Sequence, residues 1–311
     1  MLISAVVPTY DRYPLLDNCL GTLASQTLPQ GQYEIIVVDN TPDRARSDRH
    51  AASHAGVTNL RWIHEPRAGA AHARNVGMWQ ARAPLIAFTE DDAVPSPGWL
   101  AALLEAFAVL GEAVHVVGGL VRAAWGGGPR PDWLGDGLLA YLGVIDRGPD
   151  VRVLGEGEWV TGASLAYRTE RLRAAGGFLP SLGRAGSGAV LLSNEETDLE
   201  ERIRAAGGQV GWAPGAVVEH VIDLARRDRR WFRRRAAWQA VSDFIRHPDY
   251  FARHFGANWA EAEGYLGFQR ATAALAALAE DQADPAMCHW QVSAIYHLTL
   301  CLLGGADRPP A

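Results

Sequence analysis

The sequence predicts an α/β fold: a mostly parallel sheet with helices on both faces, extended at the C-terminus by a helical region. Three observations predict it. Over roughly the first 120 residues, short apolar runs alternate with stretches of helical spacing, the pattern of strands buried on both faces. Three of those runs end in polar clusters, Thr9-Tyr10-Asp11, Asp39-Asn40 and Glu90-Asp91-Asp92, and ligands in such sheets gather at the carboxyl ends of strands. From Leu224 onward the pattern turns to arginine-rich and then alanine-rich helical spacing.

Leu2 to Val7 is apolar and closed by Pro8, which reads as a buried strand. Asp11 is placed to cap a helix over Tyr13 to Ala24. Tyr33 to Val38 forms the second strand, ending at Asp39, and Leu60 to His64 the third. Ala70 to Ala83 is a helix stopped by Pro84. Leu85 to Thr89 is the fourth strand, Pro97 to Leu110 a helix with proline near its start, and Val114 to Val121 a further strand. Ala123 to Gly157 is rich in Gly and Pro, with Trp125, Trp133 and Tyr141 scattered in it, and reads as a long loop with a short helix that orders on binding. Val160 to Tyr167 is a strand containing Thr161, Gly162 and Ala163, and Arg168 to Ala175 a helix ended by Gly176 and Gly177. A second Gly-rich loop covers 181–193, after which Asn194 caps a helix from Glu195 to Ala206, terminated by Gly207 and Gly208. Arg226 to Arg235 holds seven arginines and one aspartate, and Leu224, Trp231, Trp238 and Ile245 recur every seven residues as the apolar stripe of a basic helix. Alanine-rich helices over Trp259 to Asp281 and Pro285 to Leu303 follow, and the last seven residues are expected to be loose.

The 311 residues suit two domains, or one large α/β domain with an appendage. With 48% hydrophobic and 21% charged residues the chain has an ordinary globular composition. A net charge of -6 disfavours a bulk electrostatic nucleic-acid binder. All 29 basic residues are arginine. Chemistry that needs a lysine is thereby excluded, including a Schiff base or a Walker-type phosphate loop. The three cysteines, Cys19, Cys288 and Cys301, form no CxxC pair and fit a reducing compartment. The N-terminal apolar run lacks a basic leader and ends at proline, so it does not read as a signal peptide. No stretch approaches the ~20 apolar residues of a membrane span. The expected location is the cytoplasm.

Glu90-Asp91-Asp92 is the sharpest chemical feature. Three adjacent carboxylates repel unless a cation sits among them, and a hard divalent metal carrying a diphosphate answers that need. The bland alternative, a solvated acidic turn, loses ground because Ile86-Ala87-Phe88 just before it is a buried strand. Arg67 precedes a helix whose N-terminus favours anions, Gly69 permits close backbone approach, and Arg74 and Asn75 lie one to two turns inside. Read alone, that stretch is as well a packed helix with one ion pair. Asp39 with Asn40 and Thr41 suits a ribose hydroxyl or a base edge. Asn194-Glu195-Glu196-Thr197-Asp198-Leu199 places several acids at a helix start, where a carboxylate is either a cap or a general base. His220 follows a strand, where a lone histidine is usually structural. The other nine histidines show no metal-ligand spacing of the HExxH kind, and no GxSxG elbow is present.

Together these elements resemble the family 2 glycosyltransferases, inverting enzymes of GT-A fold, over roughly residues 3–222. Ala5-Val6-Val7-Pro8-Thr9-Tyr10-Asp11-Arg12 is similar to the family's first strand and nucleotide loop, and Val37-Val38-Asp39-Asn40 to its second. Gly69 with Ala73-Arg74-Asn75-Val76-Gly77 is similar to its glycine and Ala-Arg-Asn helix, and Glu90-Asp91-Asp92 through Pro97-Gly98-Trp99-Leu100 to its metal motif. Gly162 to Arg168 with Gly176-Gly177-Phe178 resembles the acceptor-side strand and helix, Glu195 to Leu199 with Arg202 the catalytic-base motif, and Pro214 to His220 the closing strand. The sequence departs from the family pattern at Glu90, where Asp is usual, and at Glu196, where Asp is common.

The resemblance implies a metal-assisted transfer of a sugar from a nucleotide-diphosphate sugar to an acceptor hydroxyl, with inversion. It implies nucleotide contacts from Pro8, Thr9, Tyr10, Asp11, Arg12, Asp39, Asn40, Arg67, Gly69, Arg74, Asn75 and Asp91. It implies Mn2+ or Mg2+ at Asp92, Glu90 and His220, acceptor contacts from Gly162, Ala163 and Trp133, and Glu196 as general base, with Glu195 and Asp198 as alternatives. Residues 1–122 would form the nucleotide-sugar half, 123–222 the acceptor half and 223–311 the helical region. UDP or dTDP donors are the first expectation, with a glycan, a lipid-linked sugar or a natural product as acceptor. The Arg226 to Arg235 segment has two readings. It meets anionic lipid or a lipid-linked diphosphate at the inner membrane face, or it is a solvated or intersubunit helix. Two rival functions remain in view: a nucleotidyltransferase of similar topology, whose Gly-rich basic loop after the first strand is absent here, and a non-catalytic sugar-nucleotide binder.

Overall fold

The computed structural model describes residues 1–184, 186, 190–267 and 271–305. Part of the loop expected over 181–193, the middle of the helix expected over 259–281, and the chain end beyond 305 lie outside the described residues.

The strands are β1 (Ile3–Thr9), β2 (Tyr33–Asp39), β3 (Leu60–His64), β4 (Leu85–Phe88), β5 (Ala93–Pro95), β6 (Val114–Trp125), β7 (Arg152–Val153), β8 (Leu165–Arg168) and β9 (Gln209–Ile222). They form one mixed sheet in the order β3-β2-β1-β4-β8-β6-β9-β5, with β7 on β9. The parallel pattern expected from sequence describes one half, where β1 pairs with β2 and β4, and β2 with β3. In the other half β8 runs antiparallel to β4 and β6, and β5 and β7 run antiparallel to β9. The alternation of strand and helix that signals parallel pairing stops after β4, and the chain returns through neighbouring strands instead.

Six helices accompany the sheet: α1 (Tyr13–Ala24), α2 (Arg44–Ser53), α3 (Ala70–Gln80), α4 (Trp99–Leu110), α5 (Thr169–Ala174) and α6 (Glu195–Ala205). Helix α2 had no apolar periodicity to reveal it, since Ser47 is its one buried residue. Asp43 makes it a helix by capping, its carboxylate accepting from the Arg46 N–H at 3.1 Å. Asp11 does not cap α1. It has φ 55°, and Arg12 occupies the N-cap position. Asn194, at φ 75°, does not cap α6 either: its amide donates to Asp243 and accepts from Gln239.

The strand expected over Val160 to Tyr167 begins only at Leu165. Thr161, Gly162 and Ala163 form a turn in which Ser164 N–H donates to the Thr161 carbonyl. Two glycines of β6 pack closely beside it. A Cβ on Gly118 of β6 would stand 2.2 Å from Val160 Cγ1, and one on Gly119 would stand 2.1 Å from the Ala216 carbonyl. The backbones are pressed together here, and only glycine allows it. Beneath the strand ends, Phe88, Tyr167 and Phe178 meet edge to face at 5.2–6.0 Å in the fully buried core.

Contacts divide the chain into two compact units. The first comprises Met1–Ala124, Gly143–Ala189 and Glu195–Val221 and contains the sheet. The second comprises Trp125–Leu142, Val190–Asn194 and Ile222–Ala311. Residues 125–142, expected with the acceptor half, therefore group with the C-terminal helices. These helices are α7 (Arg229–Arg246), α8 (Pro248–Arg253), α9 (Phe255–Gly267), α10 (Ala271–Ala279) and α11 (Pro285–Gly305), with α11 packed on α7 and α9. No described helix is long and apolar enough to cross a membrane.

The seven-residue stripe expected to bury α7 is not its buried face. Leu224 is 70% exposed and Ile245 41%. Phe232, Ala236 and Ala240 are buried instead, at a spacing of four. Phe232 meets Trp133 edge-on at 5.3 Å within this unit, which fixes the rotation of the helix.

Candidate active site

The site lies in the sheet-containing unit, at the carboxyl ends of β1, β2 and β4 and on the facing parts of α3, α6 and β9. Strand order sets it. Pairing of β1 between β2 and β4 brings Thr9 to Arg12, Asp39 to Asn40, and Glu90 to Asp92 to one edge.

Asp91 and Asp92 are both buried. Thr9 donates its hydroxyl to Asp91 at 2.8 Å. The Arg12 guanidinium spans the pair, 3.0 Å from Asp91 and 2.5 Å from Asp92. Burial pushes the Asp91 carboxyl up to about 7, against the pull of Arg12 and with the push of Asp92. Arg12 itself is held protonated by the acids it spans, against its own desolvation.

His220 points at the same acids. It lies inside β9, not after it as the sequence suggested, paired in register with Ala93 of β5. Its Nε2 is 3.2 Å from Asp92 and 3.4 Å from Glu90. One ligand atom from each of Glu90, Asp92 and His220 lies within 4.8 Å of the other two. The donor set fits a divalent cation. Two carboxylates and one imidazole suit Mn2+.

A second cluster turns on Arg74 of α3, which is buried at 2% exposure. Its guanidinium reaches Glu195 at 2.5 Å, Glu90 at 3.2 Å and Glu196 at 3.4 Å. These carboxylates keep the buried Arg74 charged. Burial and the Glu195 charge push the Glu196 carboxyl up to about 8, the Arg74 charge opposing them. Gly162 makes room for this cluster, since a Cβ there would stand 2.1 Å from Glu196 Oε1 and 2.6 Å from Arg74 Nη2. The three acids at the start of α6 thus differ. Glu195 is committed to Arg74, Asp198 is paired with Arg202 at 2.8 Å, and Glu196 makes the loosest contact.

The remaining residues expected at the site divide into three groups. Asp39 is buried, accepting from Tyr13 Oη at 2.9 Å and from the Thr41 N–H at 2.9 Å. Asn40 donates to the Glu65 carbonyl at 2.7 Å. Asp11 pairs with Arg46 at 2.6 Å, and Pro8 sits in the β1–β2 register opposite Val38, next to the partly exposed Tyr10. Arg67 is exposed, and Gly69, at φ 143°, opens α3. Others are structural in this chain. Asn75 ties down the turn after α5, donating to the Phe178 carbonyl at 2.7 Å and accepting from the Phe178 N–H at 2.8 Å. Ala163 is 1% exposed, its carbonyl accepting from Thr89, so its methyl offers nothing to an acceptor. Trp133 groups with the helical unit. It is buried in the helical unit between Phe232 and the Arg229 guanidinium, 5.0 Å over its ring. Tyr13 was not singled out from sequence. Its contact with Asp39 arises only when α1 lies against β2, and no local pattern records that.

Comparison with known proteins places this geometry. The family model described as "Glycosyl transferase family 2" matches residues 4–134. A pre-mycofactocin glycosyltransferase of Mycobacterium tuberculosis is 28% identical over 238 residues, covering 76% of this chain and 47% of that protein. The chain spans about half the length of that relative. The succinoglycan biosynthesis protein ExoM of Rhizobium meliloti is 29% identical over 241 residues, covering 74% of this chain and 70% of that protein. Among solved structures, the mannosyltransferase PcManGT of Pyrobaculum calidifontis, in complex with GDP-Man and Mn2+, shares the fold with a TM-score of 0.61 at 22% identity, covering 98% of this chain and 86% of that one. The match of residues 4–134 and the relatives agree on a likeness to glycosyl transferase family 2, and the solved structure shares the fold.

Proposed function

We propose that the chain is an inverting, metal-assisted glycosyltransferase that takes its sugar from a nucleoside diphosphate. The observation that carries this reading is the pairing of two acidic clusters along one sheet edge, Glu90-Asp92-His220 and Glu195-Glu196, with Arg74 bridging them. Asp39 and the loop from Pro8 to Arg12 receive the nucleoside, supported by Tyr13, which orients the Asp39 carboxylate. A Mn2+ or Mg2+ held by Glu90, Asp92 and His220 supplies positive charge to the leaving diphosphate.

Arg12, which spans Asp91 and Asp92, is the cation best placed to turn toward arriving phosphate oxygens. The exposed Arg67 and the N-terminus of α3 add to the positive field on that side. Glu196 accepts the proton of the acceptor hydroxyl. The hydroxyl oxygen bonds to the anomeric carbon from the face opposite the nucleotide, the bond from that carbon to the phosphate oxygen breaks, and its electron pair leaves with the diphosphate. Attack from that face inverts the anomeric centre. Arg74 and Gly162 are positioning residues: Arg74 holds Glu195 and Glu196 in register, and Gly162 leaves the space that Glu196 occupies.

The arginine-rich segment serves packing within the helical unit in this reading, not lipid contact. Arg233 pairs with Asp281 at 2.9 Å, Arg229 donates to the Gln282 carbonyl, and Arg235 is buried against Ser193 and Gln239. The test of the function is turnover of UDP-, dTDP- and GDP-sugars with Mn2+ and a glycan, lipid-linked or natural-product acceptor panel. The expected result is release of one nucleoside diphosphate and a product of inverted anomeric configuration by NMR. A retained configuration contradicts the role of Glu196.

A further inference from the structure

A second cluster of metal-binding side chains lies outside the site described above. His50 lies in the last turn of α2 and His54, four residues on, is the residue that caps its C-terminus, so both rings reach the same side of the helix end. Asp17 of α1 reaches between them. One of its carboxylate oxygens is 2.7 Å from His50 Nε2 and 2.9 Å from His54 Nε2. The three ligand atoms lie within 4.8 Å of one another. The pair does have the i, i+4 spacing of HExxH without its glutamate, against the expectation that no such spacing is present.

The rings are held in place. His50 stacks on Tyr13, centroids 4.1 Å apart and planes 12° apart, and His54 stacks on Trp62 at 6.1 Å and 16°. Trp62 is itself anchored, donating its indole N–H to Ser47. Two imidazole nitrogens converging on one oxygen leave a separation close to that of a tetrahedral site, whose edges are about 3.3 Å for bonds of about 2.0–2.2 Å. Asp17 is 46% exposed, so its side chain is free to open by the needed few tenths of an ångström. Beside His50 a cavity of about 340 Å³, lined also by Tyr13, Arg46, Arg49 and Ser53, leaves a fourth position for water or an anion. Of the two arginines, Arg46 is already neutralised by Asp11.

We propose that Asp17, His50 and His54 form a second cation site, for a zinc-class divalent ion, which clamps α1 to α2. Two imidazoles and one carboxylate favour Zn2+ or Co2+ over Mg2+, whereas the two carboxylates at Glu90 and Asp92 favour the harder ions. The clamp would act on the nucleoside side of the sheet, because Tyr13 both stacks on His50 and holds Asp39. The proposal does not depend on the glycosyl-transfer reading.

The test uses the full chain carrying Asp92→Asn and His220→Gln, so that the Glu90 cluster is disabled, stripped with a chelator and titrated with Co2+ alone. The expected result is one Co2+ per chain, with the intense visible absorption of a four-coordinate ion, displaced by one equivalent of Zn2+. Adding His50→Gln and His54→Gln should abolish the absorption and weaken binding at least about 100-fold, since even outer-shell changes cost about 10–100-fold. Asp17→Asn, at an exposed position that leaves both helices and both imidazoles intact, should weaken it at least about 10-fold and serves if the histidine variant fails to fold. No stoichiometric Co2+ binding in the parent, or binding unchanged by Asp17→Asn, overturns the site.

Discussion

Glu196 stands apart from its neighbours because its contact with Arg74 is the loosest of the three acids' ion pairs. Glu195 takes the Arg74 guanidinium at 2.5 Å, and Glu196 is left at 3.4 Å with its carboxyl pushed up to about 8. A base must be ionised to accept a proton, so kcat/KM should rise with pH toward a plateau above about 8. A pH-rate profile that is flat from 6 to 9 would count against this. The same shift has a cost in stability. The unfolded chain releases this proton near the ordinary carboxylate value, and the folded chain keeps it to about 8. Within that window the folded state binds more protons, so its stability falls as pH rises. Glu196→Gln should therefore raise the thermal midpoint at pH 8.5 while lowering kcat by about 100-fold or more. Gly162→Ala makes a matching prediction from geometry. A methyl 2.1 Å from Glu196 Oε1 must displace the base, so kcat should fall while nucleotide binding is kept. Binding titrations with the nucleoside diphosphate separate the two effects.

Elements carry the site by being pressed together. Gly119 of β6 faces the Ala216 carbonyl of β9 and the Ser164 hydroxyl with no room for a side chain. Gly119→Ala should cost about 1–3 kcal/mol or more by overpacking. It should also pry at β9, which carries His220, and a urea titration with and without Mn2+ measures both. The first strands were legible because each is a buried run ending in polar residues: Ile3 to Val7 and Tyr33 to Val38 are all buried. Glu90 to Asp92 were legible because they follow such a strand, and Arg74 and Glu195-Glu196 because they fall in helix motifs on α3 and α6. What sequence did not carry was contact across the chain. Thr161 to Ala163 looks like strand in sequence but forms a turn, closed by the Ser164 N–H on the Thr161 carbonyl. Helix α2 has no apolar stripe to betray it. The stripe expected on α7 is not its buried face: Phe232, Ala236 and Ala240 are buried at a spacing of four, with Trp133 packed on Phe232 from outside the helix. Asn75 and Ala163 were drawn toward the site by their motifs, yet packing gives one to the Phe178 turn and the other to the core.

At the scale of the molecule, the chain is two units with different work. The sheet-containing unit gathers the acids, and the helical unit spends its arginines on itself, as with Arg233 on Asp281 and Arg235 on Ser193 and Gln239. We therefore expect the chain to remain unbound in flotation with anionic vesicles at physiological salt, where a lipid-binding basic helix would float. The acidic net charge of -6 points the same way. The proposed transfer rests on a metal-dependent nucleoside-diphosphate site built on Asp92. It is tested most directly by thermal shift of the wild-type chain and of Asp92→Asn against UDP, dTDP, GDP and CMP, each with Mn2+ and with a chelator. Binding to the folded state raises the midpoint. The expected result is a shift with at least one diphosphate that needs Mn2+ and vanishes in Asp92→Asn. A shift that persists in the chelator and in Asp92→Asn alike, or no shift with any nucleotide, would contradict it.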